Sequence, residues 1–421
     1  MGPKVVTIGA RYVFPVEGPP IRNGRITILD GRIAHVGPEH STPRPDVDLG
    51  NAAIVPGFVN AHTHLDLSPI EPESDRVDGT EDEVRWLRRV VDRRRTTSRE
   101  AALATVTTNI KASLNAGTTA LADITPAGLS WELLVDSSIR GVVFAEVLGL
   151  KRKRGLQTSQ EAWDWIGSLK IGEDEPARRL RPGLSPHAPY STAGWLYERA
   201  AAGRLPLSTH LAEMPEESTL LESRAGPLRT FLEEIGAWDD EWEPMGRSPA
   251  DYLRRGDLRK ADWLIAHGTY LRPDEFWGLR TGDDDRRIAV VYCPRTHARF
   301  GHAPHPYAAM LRRGVIVCFG TDGLASSPSL SVLEEARFLH RLDPSTSGRL
   351  LLAMATLFGA WALRIDSAVG SIATDKRADF AVVGLPNRHE SDPHRLLFDS
   401  DLPVLAAMID GEFVTGRWTL R

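Results

Sequence analysis

The chain has 421 residues, of which 42% are hydrophobic and 25% are charged, as is ordinary for a globular protein with a sizeable core. The net charge of −5 argues against a nucleic-acid-binding protein, and no run of 18 apolar residues predicts a membrane span. Two cysteines, without a signal-peptide pattern, favour a reducing compartment. We therefore expect no nucleic-acid or membrane partner and a cytoplasmic location.

Both ends of the chain are rich in short strands. Near the start, "KVVTIGARYVF", "GRITILDGRIAHVG" and "NAAIVPGF" alternate apolar and polar residues, and near the end "ADFAVVGL" and "LAAMIDGEFVTGRW" do the same, with Asp-Gly turns. Chain termini often lie close together. The two ends are therefore expected to pair into one small β-sandwich domain, made of residues 1–54 and 366–421.

Between the ends, strand and helix patterns alternate over residues 55–365. Eight β-α units predict an α/β fold, a (β/α)8 TIM barrel. A doubly wound sheet is the competing topology, but the count of eight favours the barrel. The eight segments are "AIVPGFVNAHTH", "TTALADI", "GVVFAEVLGL", "RPGLSPHAPYS", "LPLSTHLAE", "DWLIAHGTYL", "IAVVYCPRTH" and "VIVCFGTDGL".

Histidines and carboxylates stand at the ends of these strands, where a barrel carries its catalytic residues. His62 and His64 end the first strand and, two positions apart, share a face. Such a pair alone is more often two separately hydrogen-bonded histidines than a metal site, and Asp322 alone could cap a helix. Their joint occurrence at one face favours a site. The later strand ends contribute His187, His210, Glu213, His267 and Asp322.

Three neutral imidazoles and one carboxylate suit a borderline divalent ion such as zinc or ferrous iron. His62, His64, His210 and Asp322 supply that set, so we expect one metal ion, with Zn²⁺ favoured over Fe²⁺. Glu213 lies three residues beyond His210, past the strand end, where it can sit beside the metal without binding it. It is the expected proton shuttle.

The motifs resemble those of the amidohydrolase superfamily over nearly the whole chain. The more specific likeness is to the branch that contains cytosine deaminase, guanine deaminase, adenosylhomocysteine deaminase, triazine chlorohydrolases and aminodeoxyfutalosine deaminase. The matching segments are "PGFVNAHTHLDLS", "SPHAPYS", "THLAEMPEE", "LIAHGTYL", "CPRTHARFG" and "GTDGLASSPSLSVLEEAR", followed by a return strand in "GSIATDKRADFAVVGLP".

The resemblance implies the same metal ligands, and it makes Asp322 also the base for the attacking water. It implies that His267 supports that water, that His187 contacts the substrate and that Glu213 is the acid/base. No lysine stands at a barrel-strand end, whereas dinuclear members use a carboxylated lysine there, so a mononuclear site is implied. Ser327 occupies a position where many relatives have Asn.

Three further features concern the mouth of the barrel. Residues 68–90 and 237–249 are expected to line or cover the pocket, and Trp86 and Trp242 are candidates to stack on a flat ring, although packing is the commoner role. The basic stretch "RWLRRVVDRRR", residues 85–95, is interpreted as a solvated helix face rather than an anion-binding patch.

The predicted function is the metal-dependent hydrolytic deamination of an amino-substituted N-heterocycle. A 6-aminopurine nucleoside-like substrate such as aminodeoxyfutalosine is favoured. The alternatives are guanine or cytosine deamination, a triazine-type chlorohydrolase, or a cyclic amidohydrolase. A non-enzymatic barrel would predict lost ligands, and none is lost. The expected partner is a small-molecule substrate, with a homodimer as one expected assembly.

Overall fold

The structure, a computed structural model, describes residues 3–73, 80–169, 179–280 and 285–418. Within these ranges the backbone forms two eight-stranded sheets and thirteen α-helices. The strands are β1 Val5–Val13, β2 Ile21–Leu29, β3 Arg32–Pro38, β4 Val47–Asp48, β5 Ala52–Pro56, β6 Phe58–Thr63, β7 Thr118–Thr125, β8 Arg140–Val147, β9 Leu180–Pro186, β10 Leu207–Leu211, β11 Trp263–His267, β12 Ile288–Tyr292, β13 Ile316–Phe319, β14 Phe380–Gly384, β15 Val404–Ile409 and β16 Glu412–Phe413.

The helices lie mostly between barrel strands. They are α1 Glu83–Thr96, α2 Arg99–Asn115, α3 Trp131–Asp136, α4 Arg152–Ser168, α5 Gly194–Ala202, α6 Pro215–Ser223, α7 Pro227–Glu234, α8 Pro294–Phe300, α9 Tyr307–Arg312, α10 Val332–Leu342, α11 Gly348–Ala355, α12 Leu357–Ala362 and α13 Arg395–Phe398. None of these described helices is long and apolar enough to cross a membrane.

The first sheet joins the two ends of the chain. β14 pairs antiparallel with β5, with Phe380 opposite Pro56 and Gly384 opposite Ala52, and β5 runs parallel to β1. The sheet encloses an apolar core of its own that includes Ile8, Ile54 and Phe380. The predicted pairing of the two β-rich ends is thus confirmed. The predicted boundary at residues 54 and 55 falls inside β5, and the division into two domains stays a prediction.

The second sheet is the barrel. Strands β6 to β13 pair in chain order, all parallel, and a bridge between Thr63 and Asp322 joins the last strand region back to the first. Nearly every residue of these strands is buried. Parallel strands of this kind have one face packed inside the barrel and the other covered by helices. The predicted (β/α)8 barrel is confirmed.

One barrel strand was predicted too long, and its first part is the strand "NAAIVPGF" that was predicted for the end sheet. The segment "AIVPGFVNAHTH" is two strands, β5 in the end sheet and β6 in the barrel, separated by Gly57. A Cβ on Gly57 would lie 2.0 Å from Thr119 Oγ1, so only glycine allows this close approach where the chain passes between sheets. As a consequence His62 belongs to β6, whereas His64 follows the end of that strand.

Candidate active site

Closure of the barrel brings the first and last strand ends together. The backbone N–H groups of Thr321 and Asp322 both donate to the carbonyl of His62 at 3.1 Å, and Thr63 Oγ1 donates to the carbonyl of Asp322 at 3.0 Å. Asp322 and His267 both have a positive φ, of 55° and 65°. Such backbone conformations are uncommon for residues other than glycine and collect at functional sites.

Five predicted site residues converge at this mouth. The Nε2 atom of His64 lies 3.3 Å from Nε2 of His210 and 3.6 Å from Oδ1 of Asp322, and Nε2 of His62 lies 3.4 Å from the same oxygen. The potential ligand atoms of His62, His64 and Asp322 all lie within 4.8 Å of one another, as do those of His62, His210 and His267. His267 is therefore as close to this cluster as the predicted ligands are.

Hydrogen bonds at the far side of two rings decide which nitrogens face the cluster. Nδ1 of His64 donates to the carbonyl of Ile124 at 3.1 Å, and Nδ1 of His210 donates to the carbonyl of His187 at 3.0 Å. Carbonyl oxygens only accept, so each Nδ1 carries the proton and each Nε2 presents a lone pair. Carbonyl partners of this kind orient metal-binding histidines.

The resulting arrangement suits a cation. Two imidazole lone pairs that face each other at 3.3 Å repel, and a positive ion between them removes the repulsion. Both ring nitrogens of His62 are buried and make no hydrogen bond within the described part of the chain. Buried polar atoms of this kind are costly unless a partner is supplied. The donor set fits one divalent metal ion.

The protonation states agree with this fit. Burial lowers the pKa of His64 to about 3, and burial lowers the pKa of His210 well below its ordinary value. Burial opposes the charge on Asp322, yet the nearby ring of His62, with Nε2 at 3.4 Å, and the field of His64 keep the pKa of this carboxyl below its usual range. Ser326 also donates its hydroxyl to Asp322 Oδ2. Neutral imidazoles and an ionised carboxylate are the forms that bind metal.

Glu213 lies beside the cluster rather than in it. Its Oε1 is 3.1 Å from Nε2 of His267. Burial, followed by the nearby carboxylates of Glu83 and Asp322, raises the pKa of Glu213 well above its ordinary value. The backbone N–H of Glu213 donates to Glu217 Oε2 at 3.3 Å, and this hydrogen bond stabilises the turn after β10. A carboxyl group placed in this way can hold a proton near neutral pH.

His187 stands at the next position around the barrel. Its ring centroid is 4.8 Å from that of His210, and its Nδ1 lies 2.6 Å from Ser191 Oγ. The carbonyl of His187 also accepts from the backbone of His210 at 2.8 Å. The residue therefore both orients a predicted ligand and lines a cavity next to it.

The two predicted stacking tryptophans lie in packed surroundings. Trp86 is buried against Phe300, with ring centroids 5.0 Å apart, and its N–H donates to the carbonyl of Ala325 at 2.9 Å. Trp242 is buried against Trp238, at 5.7 Å. These positions favour packing, and a role toward substrate stays a prediction. Of the predicted covering segment 68–90, residues 74–79 lie outside the described residues.

Ser327, at the position where many relatives have Asn, supports the loop after β13. Its hydroxyl donates to the carbonyl of Ser329 at 3.1 Å and lies 3.4 Å from Glu335 Oε1. Its side chain therefore contacts residues that follow it in the chain.

The interpretation of residues 85–95 as a solvated face was wrong for part of the helix. Arg94 Nη1 contacts Glu146 Oε2 at 2.9 Å and its Nη2 contacts Asp66 Oδ2 at 3.3 Å, both on buried carboxylates. Arg89 pairs with buried Glu81 at 2.8 Å. Glu146 ends β8, so the rule that identified the histidines at strand ends would have found it. Nothing local marked Arg94, because its partners Glu146 and Asp66 lie 52 and 28 residues away in sequence.

Glu83 was also missed. This buried residue begins α1, and neither of its oxygens has a hydrogen bond within the described ranges, although His302 Nε2 lies 3.1 Å from Oε2. Its carboxylate faces Glu213 closely enough to raise the pKa of that group. In the sequence it stands in an acidic run before a basic one, which gave no sign of burial.

Comparison with known proteins extends these observations. The 5-methylthioadenosine/S-adenosylhomocysteine deaminase of Moorella thermoacetica is 26% identical over 428 residues, which cover 96% of this chain and 91% of the relative. The aminodeoxyfutalosine deaminase of Deinococcus radiodurans is 29% identical over 344 residues, or 75% of each chain. Helicobacter pylori aminofutalosine deaminase in complex with methylthio-coformycin has the same fold, with a TM-score of 0.83 and 24% identity over 97% of this chain and 100% of that one.

A match to a family model shows which protein family the chain belongs to. The model of the Amidohydrolase family matches residues 53–414, which span the barrel and the strands that return to the end sheet. The match covers most of the chain and agrees with the barrel. The family predicted from the strand-end motifs is therefore confirmed, and the chain belongs to the amidohydrolase family.

Proposed function

We propose that the protein is a metal-dependent aminohydrolase that deaminates an adenosine-like compound. The observation that carries the proposal is the pairing of two features at one barrel mouth. One is the cluster of His62, His64, His210 and Asp322, which fits a divalent ion. The other is Glu213, a carboxyl group whose raised pKa lets it hold a proton beside that cluster. Together they provide for water activation and for protonation of a ring nitrogen.

The proposed ligands are His62, His64, His210 and Asp322, with Zn²⁺ favoured over Fe²⁺ because three imidazoles and a carboxylate suit zinc. A bound ion would make water more acidic and would stabilise negative charge that develops on oxygen. His267 is the fifth member of the cluster, and it is proposed to hold the attacking water in place.

The chain's own groups would then move the protons. Glu213 gives its proton to the ring nitrogen next to the amino-bearing carbon, which makes that carbon more electrophilic. Asp322 takes a proton from the water as its oxygen bonds to that carbon. That proton passes from Asp322 to the amino group, the remaining hydroxyl proton returns to Glu213, and the carbon–nitrogen bond breaks, so that ammonia leaves as the carbonyl forms. General acid–base help of this kind is typically worth ~10²–10⁴-fold.

The choice of an adenosine-like substrate is supported by the relatives whose names carry adenosine or aminodeoxyfutalosine and which span most of this chain. Aminodeoxyfutalosine is the favoured individual substrate. His187 is proposed to contact the sugar, since it lies beside His210 and lines a cavity. A cytoplasmic location and a homodimer stay predictions.

The test is ammonia release by metal-loaded protein from a panel of substrates. We expect turnover of aminodeoxyfutalosine or another adenosine with a large 5′ substituent, and slower turnover of free adenine. Faster reaction with guanine, cytosine or a chlorotriazine would contradict the substrate proposal. The control pair is Glu213→Gln, which should lose activity, and Glu222→Gln, an exposed position on α6, which should keep it.

A further inference from the structure

The turn that carries His267 has an unusual backbone. His267 and Gly268 both lie in the left-handed region, with φ of 65° and 67°. A residue with a side chain costs free energy in this region, so the surrounding contacts must hold His267 there. The last residue pair between β11 and β12 is Ala266 opposite Val291. The carbonyl of His267 therefore lies beyond that ladder and needs another donor.

His305 supplies this donor. Its Nε2 lies 2.7 Å from the carbonyl oxygen of His267, and its Nδ1 lies 3.0 Å from the backbone nitrogen of Tyr307. A backbone N–H can only donate, so Nδ1 accepts, and the proton of the neutral ring is on Nε2. The ring of His305 therefore donates to the carbonyl of His267, in one fixed tautomer.

Packing and burial keep the His305 ring in this state. The ring stacks on that of Tyr292, the last residue of β12, with centroids 3.9 Å apart and an interplanar angle of 16°. Burial lowers the pKa of His305 to about 3, so the ring is neutral near neutral pH. His305 is therefore a neutral donor that is fixed against the neighbouring barrel strand.

The side chain on this turn faces two parts of the proposed site. Nε2 of His267 lies 3.1 Å from Oε1 of Glu213, and the ring centroid of His267 lies 5.4 Å from that of His62. A rotation of the His267 backbone would move its ring relative to both groups at once. The place at which His267 can hold a water molecule therefore depends on the conformation of the turn.

The other side of the turn is hydrogen-bonded to the end of β10. The N–H of Gly268 donates to the carbonyl of Leu211 at 2.9 Å, and the N–H of Tyr270 donates to that of Ala212 at 2.8 Å. These two bonds hold the turn from the β10 side, and the bond from His305 holds it from the β12 side. The two amide protons report whether the turn stays closed, because hydrogen exchange requires local opening.

We propose that His305 is a positioning residue for deamination, which holds the carbonyl of His267 through its Nε2–H and thereby orients the His267 ring towards the attacking water. This inference rests on the proposed function, in which His267 holds that water. His305 lies 38 residues beyond His267 in the chain, so the contact is made only in the fold. Removal of an outer hydrogen-bond partner typically costs roughly 10–100-fold in activity, because a small misplacement of a site residue slows the reaction.

The test compares variants of the metal-loaded protein on an adenosine-like substrate that the unaltered protein deaminates. His305→Phe keeps a flat ring for stacking but has no donor, and His305→Gln places an amide N–H near the position of Nε2. We expect His305→Phe to lower kcat by roughly 10–100-fold with KM changed by less than about threefold, and His305→Gln to recover most of the loss. The matched control is His340→Gln, at a histidine of α10 whose Nε2 lies 2.8 Å from Asp399 Oδ1, and it should keep the normal kcat.

Three results would overturn the inference. One is a near-normal kcat for His305→Phe. Another is an equal loss in His305→Phe and His305→Gln, because the ring rather than its donor would then matter. The third is a loss that elemental analysis explains fully by a lower metal content. If His305→Phe is not recovered as folded protein, His305→Met, which is apolar and has no donor, takes its place.

Hydrogen exchange followed by mass spectrometry gives a readout that needs no turnover. The amides of Gly268 and Tyr270 should exchange about tenfold faster in His305→Phe than in the unaltered protein or in His305→Gln. If no adenosine derivative releases ammonia, the proposed function has failed, and this comparison still decides whether His305 holds His267. If ammonia is released and the two His305 variants have equal kcat and equal exchange rates, the proposed function stands and the inference alone is refuted.

Discussion

Arg94 holds two buried carboxylates at the mouth of the barrel, Glu146 at 2.9 Å and Asp66 at 3.3 Å. Burial alone would disfavour ionisation of Glu146, but Arg94 outweighs it and lowers the pKa from 4.5 to about 2. This difference corresponds to about 3 kcal/mol of stability at pH 7. Breaking a buried pair by removing one partner costs a similar ~3–5 kcal/mol. Arg94→Gln should therefore lower the free energy of unfolding by about 3 kcal/mol.

The dependence on pH has a definite sign. A carboxyl whose pKa is lowered by folding contributes stability above its unfolded pKa, and this contribution is lost as the pH falls from about 4.5 to about 2. The penalty of Arg94→Gln should thus be complete at pH 7 and smaller below about pH 4. Adding Glu146→Gln to the variant should recover part of the loss, because one uncompensated buried charge is then removed.

The assay is urea unfolding of the metal-loaded protein, followed by fluorescence of its eleven tryptophans. The matched control is Arg93→Gln on the same helix, an exposed arginine that donates to Ser68 Oγ at 2.9 Å, for which a change within about 0.5 kcal/mol is expected. A loss below about 1 kcal/mol for Arg94→Gln, or one equal to that of the control, would refute the reasoning about this network.

Three further predictions concern the site itself. Glu213→Gln should keep the metal but lower kcat by ~10²–10⁴-fold, since an amide cannot relay a proton, and a near-normal rate would remove Glu213 as the shuttle. Elemental analysis should find close to one divalent ion per chain and little in His62→Ala, whereas two tightly bound ions would contradict the mononuclear site. Burial raises the pKa of Glu217 to about 8, so its contribution to stability is lost as the pH rises from about 4.5 to 8. Glu217→Gln should therefore gain about 2 kcal/mol relative to the unaltered protein between pH 6 and pH 8, measured as urea midpoints at both values.

Much of the site could be predicted from local pattern. Parallel strands that are buried on both faces are continuous apolar runs, and a barrel gathers their carboxyl ends at one rim. Polar residues such as His62, His210, His267 and Asp322 stand out at the ends of such runs, so their convergence followed from counting strands. The same rule applies to Glu146, the penultimate residue of β8, which is a lone carboxylate without a second polar residue two positions away.

Other structural features depended on contacts between segments that are far apart in the sequence. The passage of the chain from β5 to β6 at Gly57 was not recognised from local pattern, because apolar residues continue on both sides of Pro56 and Gly57. The residue against which Gly57 packs, Thr119, lies 62 residues away. Likewise, the acidic and basic residues of α1 have the composition of a solvated helix. Glu83 and Arg94 are nonetheless turned towards the site, because α1 lies across the barrel mouth.

The candidate site residues at the strand ends can thus be identified from the residue types and their spacing in the sequence. The ion network around Arg94 is a product of tertiary structure, since helix α1, Asp66 and the end of β8 come from separate parts of the chain. An ion pair needs two groups within a few ångströms, and sequence separation carries no information about that distance. The reaction class could therefore be inferred from the sequence, whereas the ion pairs that hold α1 at the barrel mouth required the fold.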